Sequence, residues 1–172
     1  MLSQVVQDKI NEQINNELQS SYNYLAMSAY CEFTQFFGCA NWLKVQSQEE
    51  YAHAMKLYDF LSARGGRVIL ADVKQPQAEF ESLTHVFESV LKQEQQVTAQ
   101  IDSLYEMAFN EKAFAALVEL EWFIQEQVEE EKSARDILHK FRLVENDPSS
   151  LLDLDRDLAE RTLDESANDS QA

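Results

Sequence analysis

Apolar residues recur along most of the chain with alternating steps of three and four positions, the spacing of one buried helix face. This pattern predicts four long helices and then a short one. A Gly65-Gly66 stop follows the second helix, Ser82 is a candidate N-cap for the third, and an Asp147-Pro148 pair opens the last. The predicted bounds are Val5–Phe36, Ala40–Arg64, Ser82–Asn110, Ala113–Leu143 and Asp147–Leu163.

Each long helix carries one face of core positions, and every face is interrupted by a glutamate. The faces are Ile10, Ile14, Glu17, Ser21, Tyr24; Leu43, Gln46, Glu50, His53, Leu57, Phe60; Leu83, Phe87, Val90, Glu94, Val97, Ile101, Leu104, Ala108; and Ala116, Leu120, Phe123, Gln127, Glu130, Ala134, Ile137, Phe141. An unpaired buried carboxylate is very costly. Because these faces contain no Lys or Arg, a bound metal ion is the natural counter-charge.

The connection between the second and third helices, residues 67–81, is long for a compact bundle. Fully extended it reaches about 50 Å, whereas the second helix is roughly 37 Å long. The sequence therefore predicts an all-α fold: a four-helix bundle of two hairpins with one long crossover and a short fifth C-terminal helix. The β-like run Arg67–Leu70 is a candidate for pairing with a neighbouring copy. One domain is expected over residues 1–163, with a disordered tail over residues 164–172.

Composition narrows the range of partners. The chain has 172 residues, with 14 Lys plus Arg against 31 Asp plus Glu, a formal net charge of -17. Such a field repels nucleic acid and anionic lipid and attracts cations. There is neither an apolar run of the ~20 residues that span a membrane nor a signal-peptide pattern, so a cytoplasmic protein is expected. Cys31 and Cys39 fit no disulfide framework or zinc pattern and are expected to be reduced structural thiols.

The glutamates form a recognisable metal-binding pattern. Glu50-x-x-His53 places a carboxylate and an imidazole on one face of the second helix. Di-iron bundles use one Glu from each of two helices and a Glu-x-x-His from each of the other two. Glu17 and Glu94 supply the single glutamates here, and Glu130 is the acidic residue in the fourth face.

The fourth helix departs from this pattern, because it has Gln127-x-x-Glu130 where a symmetric site would have Glu and His. A neutral amide is a poor ligand, so two unequal sites are expected, with Gln127 as a hydrogen-bonding neighbour. The predicted ligands are Glu17, Glu50 and His53 for one metal, and Glu50 as a bridge with Glu94 and Glu130 for the other. Hard oxygen ligands with one imidazole suit iron. Tyr24 has two possible roles. It donates a hydrogen bond to a ligand or an electron to the site, or it is simply a buried aromatic residue whose hydroxyl has a hydrogen-bond partner.

Three further glutamates, Glu49, Glu126 and Glu129, each precede a core-face residue by one position. All three are therefore rotated by the same amount around their helices. They either converge as a third metal site beside the pair or belong to a solvated charged surface.

Taken together, these residues resemble the pattern of the bacterial non-haem ferritins, over Met1 to about Leu163. The match is carried by Glu17, Tyr24, QEEYAH (Glu49, Glu50, His53), Glu94 in KQEQ, and EQVEEEK (Glu126, Gln127, Glu129, Glu130). The resemblance implies a homo-oligomeric shell of 24 subunits, ferroxidase activity with Fe(II) and O2 as substrates, and a ferric mineral stored inside. It also implies a third iron site at Glu49, Glu126, Glu129 and Glu130.

Related classes fit less well. Bacterioferritins carry a haem-ligating methionine directly after the first motif's glutamate, and here that position is Tyr51, so no haem is expected. A rubrerythrin-like peroxidase needs a Cys-x-x-Cys iron module, and a DNA-binding mini-ferritin lacks the fifth helix. Two alternatives stay open: a di-iron oxygenase acting on an organic substrate, and a structural shell subunit with an inactive centre.

Overall fold

The computed structural model describes residues 2–163, in which five helices follow one another without a β-strand. They are α1 (Gln4–Phe33), α2 (Phe37–Ala63), α3 (Leu83–Asn110), α4 (Phe114–Val144) and α5 (Pro148–Leu158). Helices α1 and α2 form one hairpin, α3 and α4 form the second, and α1 packs against α3. The predicted all-α bundle with a short fifth helix is confirmed. The tail predicted over residues 164–172 lies outside the described residues.

Local side-chain chemistry sets several helix ends. The Ser82 hydroxyl accepts a hydrogen bond from the His85 N–H at 3.1 Å and caps α3, as predicted. The Asp147 carboxylate accepts one from the Ser149 N–H at 3.1 Å and caps α5. Helix α5 ends at Leu158, earlier than predicted, and the chain continues in a turn.

The break between α1 and α2 falls earlier than predicted, at residues 34–36. The chain reverses there through Gln35, whose φ of 66° is uncommon for a residue with a side chain. Gly38 lies inside the first turn of α2 instead of ending α1. A Cβ atom at Gly38 would lie 1.6 Å from the carbonyl oxygen of Asp155. The glycine is therefore needed for the close approach of α5, a requirement that the helix pattern does not reveal.

Two hydrophobic clusters fill the bundle on either side of a polar layer. One includes Phe87 and Phe141, whose rings stack with centroids 4.6 Å apart, and the other includes Leu57. Each such side chain contributes about 1.5–3 kcal/mol when it leaves water. All the predicted core-face positions are buried except Ser21 and Phe60, which are half-buried. The three-four spacing thus located the core.

The crossover, residues 64–82, runs without regular structure and is held by side-chain amides of α1. The Asn11 side chain donates to the Arg67 carbonyl at 3.0 Å and accepts from the Ile69 N–H at 2.8 Å. Asn15 and Gln19 repeat this two-way bonding further along the crossover. The run at residues 67–70 is therefore tied to α1, and its pairing with another copy stays a prediction. Among residues 2–163, no helix has both the length and the apolar character to cross a membrane.

Candidate metal centre

The polar layer lies halfway along the bundle and receives one or more side chains from each long helix. Its acidic members are almost fully buried: Glu17 and Glu50 are each 1% exposed, Glu94 is 0% exposed and Glu130 is 7% exposed. His53 is 3% exposed. The structure therefore brings all five predicted di-iron ligands into the interior, where their helices position them and water does not screen their charges.

The first candidate site contains Glu17, Glu50 and His53. One ligand atom of each lies within 4.8 Å of the others, and Glu50 Oε1 is 3.9 Å from His53 Nδ1. Gln13 donates to Glu17 Oε1 at 2.7 Å, and Gln46 donates to Glu50 Oε1 at 3.1 Å. The second carboxylate oxygens, Glu17 Oε2 and Glu50 Oε2, are buried and have no hydrogen-bond partner in the described part of the chain. Orphaned anionic acceptors of this kind fit a bound cation.

A second group joins His53 to Glu130 and to Glu126, again with one ligand atom of each within 4.8 Å of the others. Glu126 is half-buried on α4. The sequence left Glu126 as either a third-site ligand or part of a solvated surface; in the structure its carboxylate lies beside the His53 imidazole. His53 is itself flanked by two aromatic rings, with its centroid 5.2 Å from that of Trp122 and 6.0 Å from that of Phe123.

Glu94 is held from two sides by hydrogen bonds. The Tyr24 hydroxyl donates to Glu94 Oε1, and the Gln127 amide donates to Oε2 at 3.2 Å. Tyr24 is fully buried, so its hydroxyl finds its partner inside the centre. Gln127 takes the hydrogen-bonding position that the sequence assigned to it, next to a carboxylate. Glu94 belongs to neither of the two groups above, and these two hydrogen bonds hold its carboxylate within the layer.

The three glutamates of the proposed third site occupy different surroundings. Glu49 forms an ion pair with Arg161, in the turn after α5. Glu126 lies with His53 and Glu130, and Glu129 is exposed on α4. Of these three carboxylates, those of Glu49 and Glu126 lie near the centre, whereas Glu129 lies on the surface.

Sequence reasoning missed three polar residues that touch the centre. Gln13 precedes Glu17 by one helical turn, a spacing that puts the amide beside the carboxylate. Gln46 was placed on the core face but not in the site, although it is fully buried against Glu50. Arg161 was predicted to lie in the fifth helix, but its spacing along the chain does not indicate that it reaches Glu49 of α2.

Burial and mutual repulsion shift the acidity of these groups. Burial, together with the nearby Glu94 carboxylate, raises the pKa of Glu17 to about 7 and that of Glu130 to about 8. The pKa of Glu50 is well above its ordinary value, first because of burial and then because other carboxylates surround it. Burial lowers the pKa of His53 to about 4, so its imidazole is neutral and can act as a ligand.

The buried cysteines lie apart from this layer, near the α1–α2 turn. Cys31 and Cys39 are both free and buried, as the sequence predicted. Burial raises the pKa of the Cys31 thiol to about 12 and that of Cys39 further, so both are protonated at neutral pH.

The chain can be compared with known proteins over nearly its full length. It is 36% identical to the bacterial non-heme ferritin of Staphylococcus epidermidis over 165 residues, which is 96% of this chain and 99% of that protein. The bacterial non-heme ferritin of Staphylococcus saprophyticus is 35% identical over 166 residues, with the same coverage of each chain.

Solved structures agree with this relationship. A form of the Archaeoglobus fulgidus ferritin engineered to be closed superposes with a TM-score of 0.94 at 45% identity, covering 95% of this chain and 100% of that one. The open-pore ferritin of the same archaeon gives 0.93 at 46% identity, covering 94% and 100%. The family model for the ferritin-like domain matches residues 7–144. With its helices, its buried carboxylates and its relatives in agreement, the chain belongs to the ferritin family.

Proposed function

We propose that the chain is an iron-storage subunit that oxidises Fe(II) with O2 at the buried carboxylate centre. The observation that supports this most directly is the pair of orphaned oxygens, Glu17 Oε2 and Glu50 Oε2, beside the neutral His53 imidazole. Without a cation, burying such groups together is unfavourable. Membership of the ferritin family makes Fe(II) the natural substrate cation, and the oxygen-rich donor set suits it.

In the proposed arrangement two Fe(II) ions bind side by side. One takes Glu17, Glu50 and His53, and the other takes Glu50 as a bridge with Glu94 and Glu130. Two adjacent Fe(II) ions can deliver two electrons to one O2, which is why a paired site favours oxidation. Burial excludes competing water, and the raised pKa values of the carboxylates mean that protons leave as iron enters.

The neighbours of the ligands have positioning roles in this proposal. Tyr24 and Gln127 each donate a hydrogen bond to Glu94 and so fix its two oxygens. Gln13 donates to Oε1 of Glu17 and Gln46 to Oε1 of Glu50, and each leaves the second oxygen of that glutamate for a cation. We retain the third iron site at Glu49, Glu126, Glu129 and Glu130 as part of the proposal, with Glu126 already turned inward.

The proposed shell agrees with the surface of the single chain. Several large apolar side chains are exposed on it, among them Phe33 (86%), Phe109 (65%), Phe114 (70%) and Leu143 (71%). Contacts between copies would remove this surface from water. We propose a hollow homo-oligomer of 24 subunits, in keeping with the ferritin resemblance, in which ferric mineral accumulates.

The decisive experiment adds Fe(II) anaerobically to metal-free protein at two ions per chain and then admits O2. Fast growth of ferric absorbance is expected within seconds, with slow oxidation in Glu50→Ala and His53→Ala. His139→Ala is the matched control, because His139 is exposed on α4 and should oxidise iron like the wild type. Equal rates in wild type, Glu50→Ala and iron in buffer alone would mean that the centre is not a ferroxidase.

The same samples test the other parts of the proposal. Size-exclusion chromatography with light scattering should give a mass near that of 24 chains for wild type and all variants, since the centre lies away from the outer faces. A monomer or dimer would contradict the shell. Glu129→Ala should change the iron-to-O2 stoichiometry while sparing the first fast phase, and an unchanged stoichiometry would remove Glu129 from the third site.

The oxygenase alternative predicts a different surface near the metals. A cavity of about 220 Å³ is lined by Gln127 and includes the charged side chains of Asp102, Glu131 and Arg135. The apolar side chains of Ile101, Ile124 and Val128 line the same cavity, so its walls are mixed and suit an organic occupant as well as a polar one. Iron oxidation has the better support because the relatives that match nearly the whole chain are ferritins.

A further inference from the structure

Helix α5 and the turn that follows it are fastened to α2 by several hydrogen bonds. The Asp155 carboxylate accepts from the backbone N–H groups of Gly38 at 3.2 Å and Cys39 at 2.8 Å, where α2 begins without a side-chain cap of its own. One turn later, the Asn41 amide donates to the carbonyl of Arg161 at 2.9 Å. Residues 155–161 are thus held in place by contacts with the start of α2, which is far from them in the sequence.

This docking directs the Arg161 side chain back toward the metal centre. Its guanidinium lies over the Trp42 ring, 4.3 Å from the ring centroid, and pairs with the Glu49 carboxylate. The Arg161 and Glu49 side chains are only 22% and 14% exposed. Arg161 Nη1 is buried and finds no hydrogen-bond partner among residues 2–163, so these residues leave part of the guanidinium unsatisfied.

The charge of Arg161 also reaches the centre itself. The guanidinium attracts the Glu94 and Glu130 carboxylates. A fixed positive charge near these carboxylates opposes the approach of another cation from the same side. Glu49 cannot offer the oxygen that binds Arg161 to a metal ion at the same time.

We propose that Arg161 is a built-in cation that competes with a third metal ion for Glu49 and so governs the occupancy of the third site. The inference rests on the proposed function insofar as it takes Glu49 to be a ligand of that site. A third metal ion binds at Glu49 only after the guanidinium has left the carboxylate. Arg161 is thus a positioning residue that sets how many cations the centre holds, and it takes no part in the chemistry at the first two sites.

The test counts cations that have no redox chemistry. Zn²⁺ is titrated into metal-free protein by calorimetry for wild type, Arg161→Gln and the control Arg156→Gln. Arg156 lies on α5, shortly before the turn that holds Arg161; it is 76% exposed and pairs only with Asp153 among the contacts described. Arg161→Gln should bind one further Zn²⁺ per chain, or bind the third at least tenfold more tightly, while Arg156→Gln should match the wild type.

A double variant separates competition from a structural effect. Adding Glu49→Gln to Arg161→Gln should abolish the gained Zn²⁺ site, whereas a general loosening of the α5 turn would leave the gain in place. Equal numbers and affinities of Zn²⁺ in wild type and Arg161→Gln would overturn the proposal, and so would a gain that survives Glu49→Gln.

A conservative variant covers the case in which Arg161→Gln does not fold or assemble. Arg161→Lys keeps the charge but loses the planar stacking on Trp42, so the third Zn²⁺ should bind severalfold more tightly than in the wild type. Unchanged binding would overturn the proposal here too. Fe(II) oxidation is measured on the same wild-type sample, so that a failure of the proposed ferroxidase function can be distinguished from a failure of the Arg161 proposal. A protein that does not oxidise iron still gives a Zn²⁺ stoichiometry.

Discussion

Glu17 provides a direct measure of how much the buried carboxylates cost the metal-free protein. Its pKa rises from an ordinary value of 4.5 to about 7, mainly through burial. Such a rise corresponds to about 3 kcal/mol of preference for the protonated form. Between about pH 4.5 and pH 7 the folded protein therefore binds more protons at Glu17 than the unfolded chain does. The free energy of unfolding then falls as the pH rises through this window.

We expect Glu17→Gln to remove this dependence. The amide has the size of the carboxyl group and can still accept the Gln13 hydrogen bond, but it carries no charge to bury. At pH 8 the metal-free variant should be more stable than the wild type by about 3 kcal/mol. At pH 5, where most folded molecules hold the Glu17 proton, the advantage should shrink to about 1 kcal/mol.

The assay is denaturant unfolding at a fixed subunit concentration, with metal removed beforehand, at pH 5 and pH 8. Glu12→Gln is the matched control, because Glu12 lies on the same helix but is 55% exposed and pairs with Lys9. It should change neither the stability nor its pH dependence appreciably. Adding Zn²⁺ at pH 8 should reverse the order of wild type and Glu17→Gln, because the wild type gains the binding energy of an intact site.

The result that refutes this reasoning is specific. If metal-free Glu17→Gln is no more stable than the wild type at pH 8, the carboxylate is not an uncompensated buried charge. The orphaned Oε2 would then have a partner that offsets its burial, and the strongest support for a cation at this position would be lost.

Three other predictions concern the centre and its supports. Zn²⁺ affinity should fall as the pH drops from 8 to 6, because Glu17 (pKa about 7) and Glu130 (pKa about 8) must release protons when the metal binds. Calorimetry in two buffers measures this proton release, and a Zn²⁺ affinity that does not change with pH would contradict the prediction. Gly38→Ala should reduce the free energy of unfolding by about 1–3 kcal/mol and lower the melting temperature, because the new Cβ would clash with the Asp155 carbonyl. An unchanged melting temperature would mean that α5 can move away at little cost. Asn11→Ala should speed amide exchange at residue 69 about fivefold, because a hydrogen bond worth about 1 kcal/mol is lost. An unchanged exchange rate would mean that other contacts hold the crossover in place.

The helices and the core were readable from the sequence because their determinants are periodic. Each residue of a helix faces the same side as those three and four positions away, so the core faces and the glutamates within them could be listed in advance. Glu17, Glu50, His53, Glu94 and Glu130 all lie in the buried layer for this reason. The end of α1 was predicted less well, since Gly38 suggested a stop where α5 in fact needs space.

The sequence by itself determined the bundle, its polar layer and the asymmetry introduced by Gln127. The tertiary structure alone decided that Glu126 lies beside His53, that Glu129 stays exposed, and that Arg161 pairs with Glu49. The physical reason is the range of the interactions. Helix periodicity fixes which side of a helix a residue faces, but the approach of side chains from different helices depends on packing distances and on where the chain turns back.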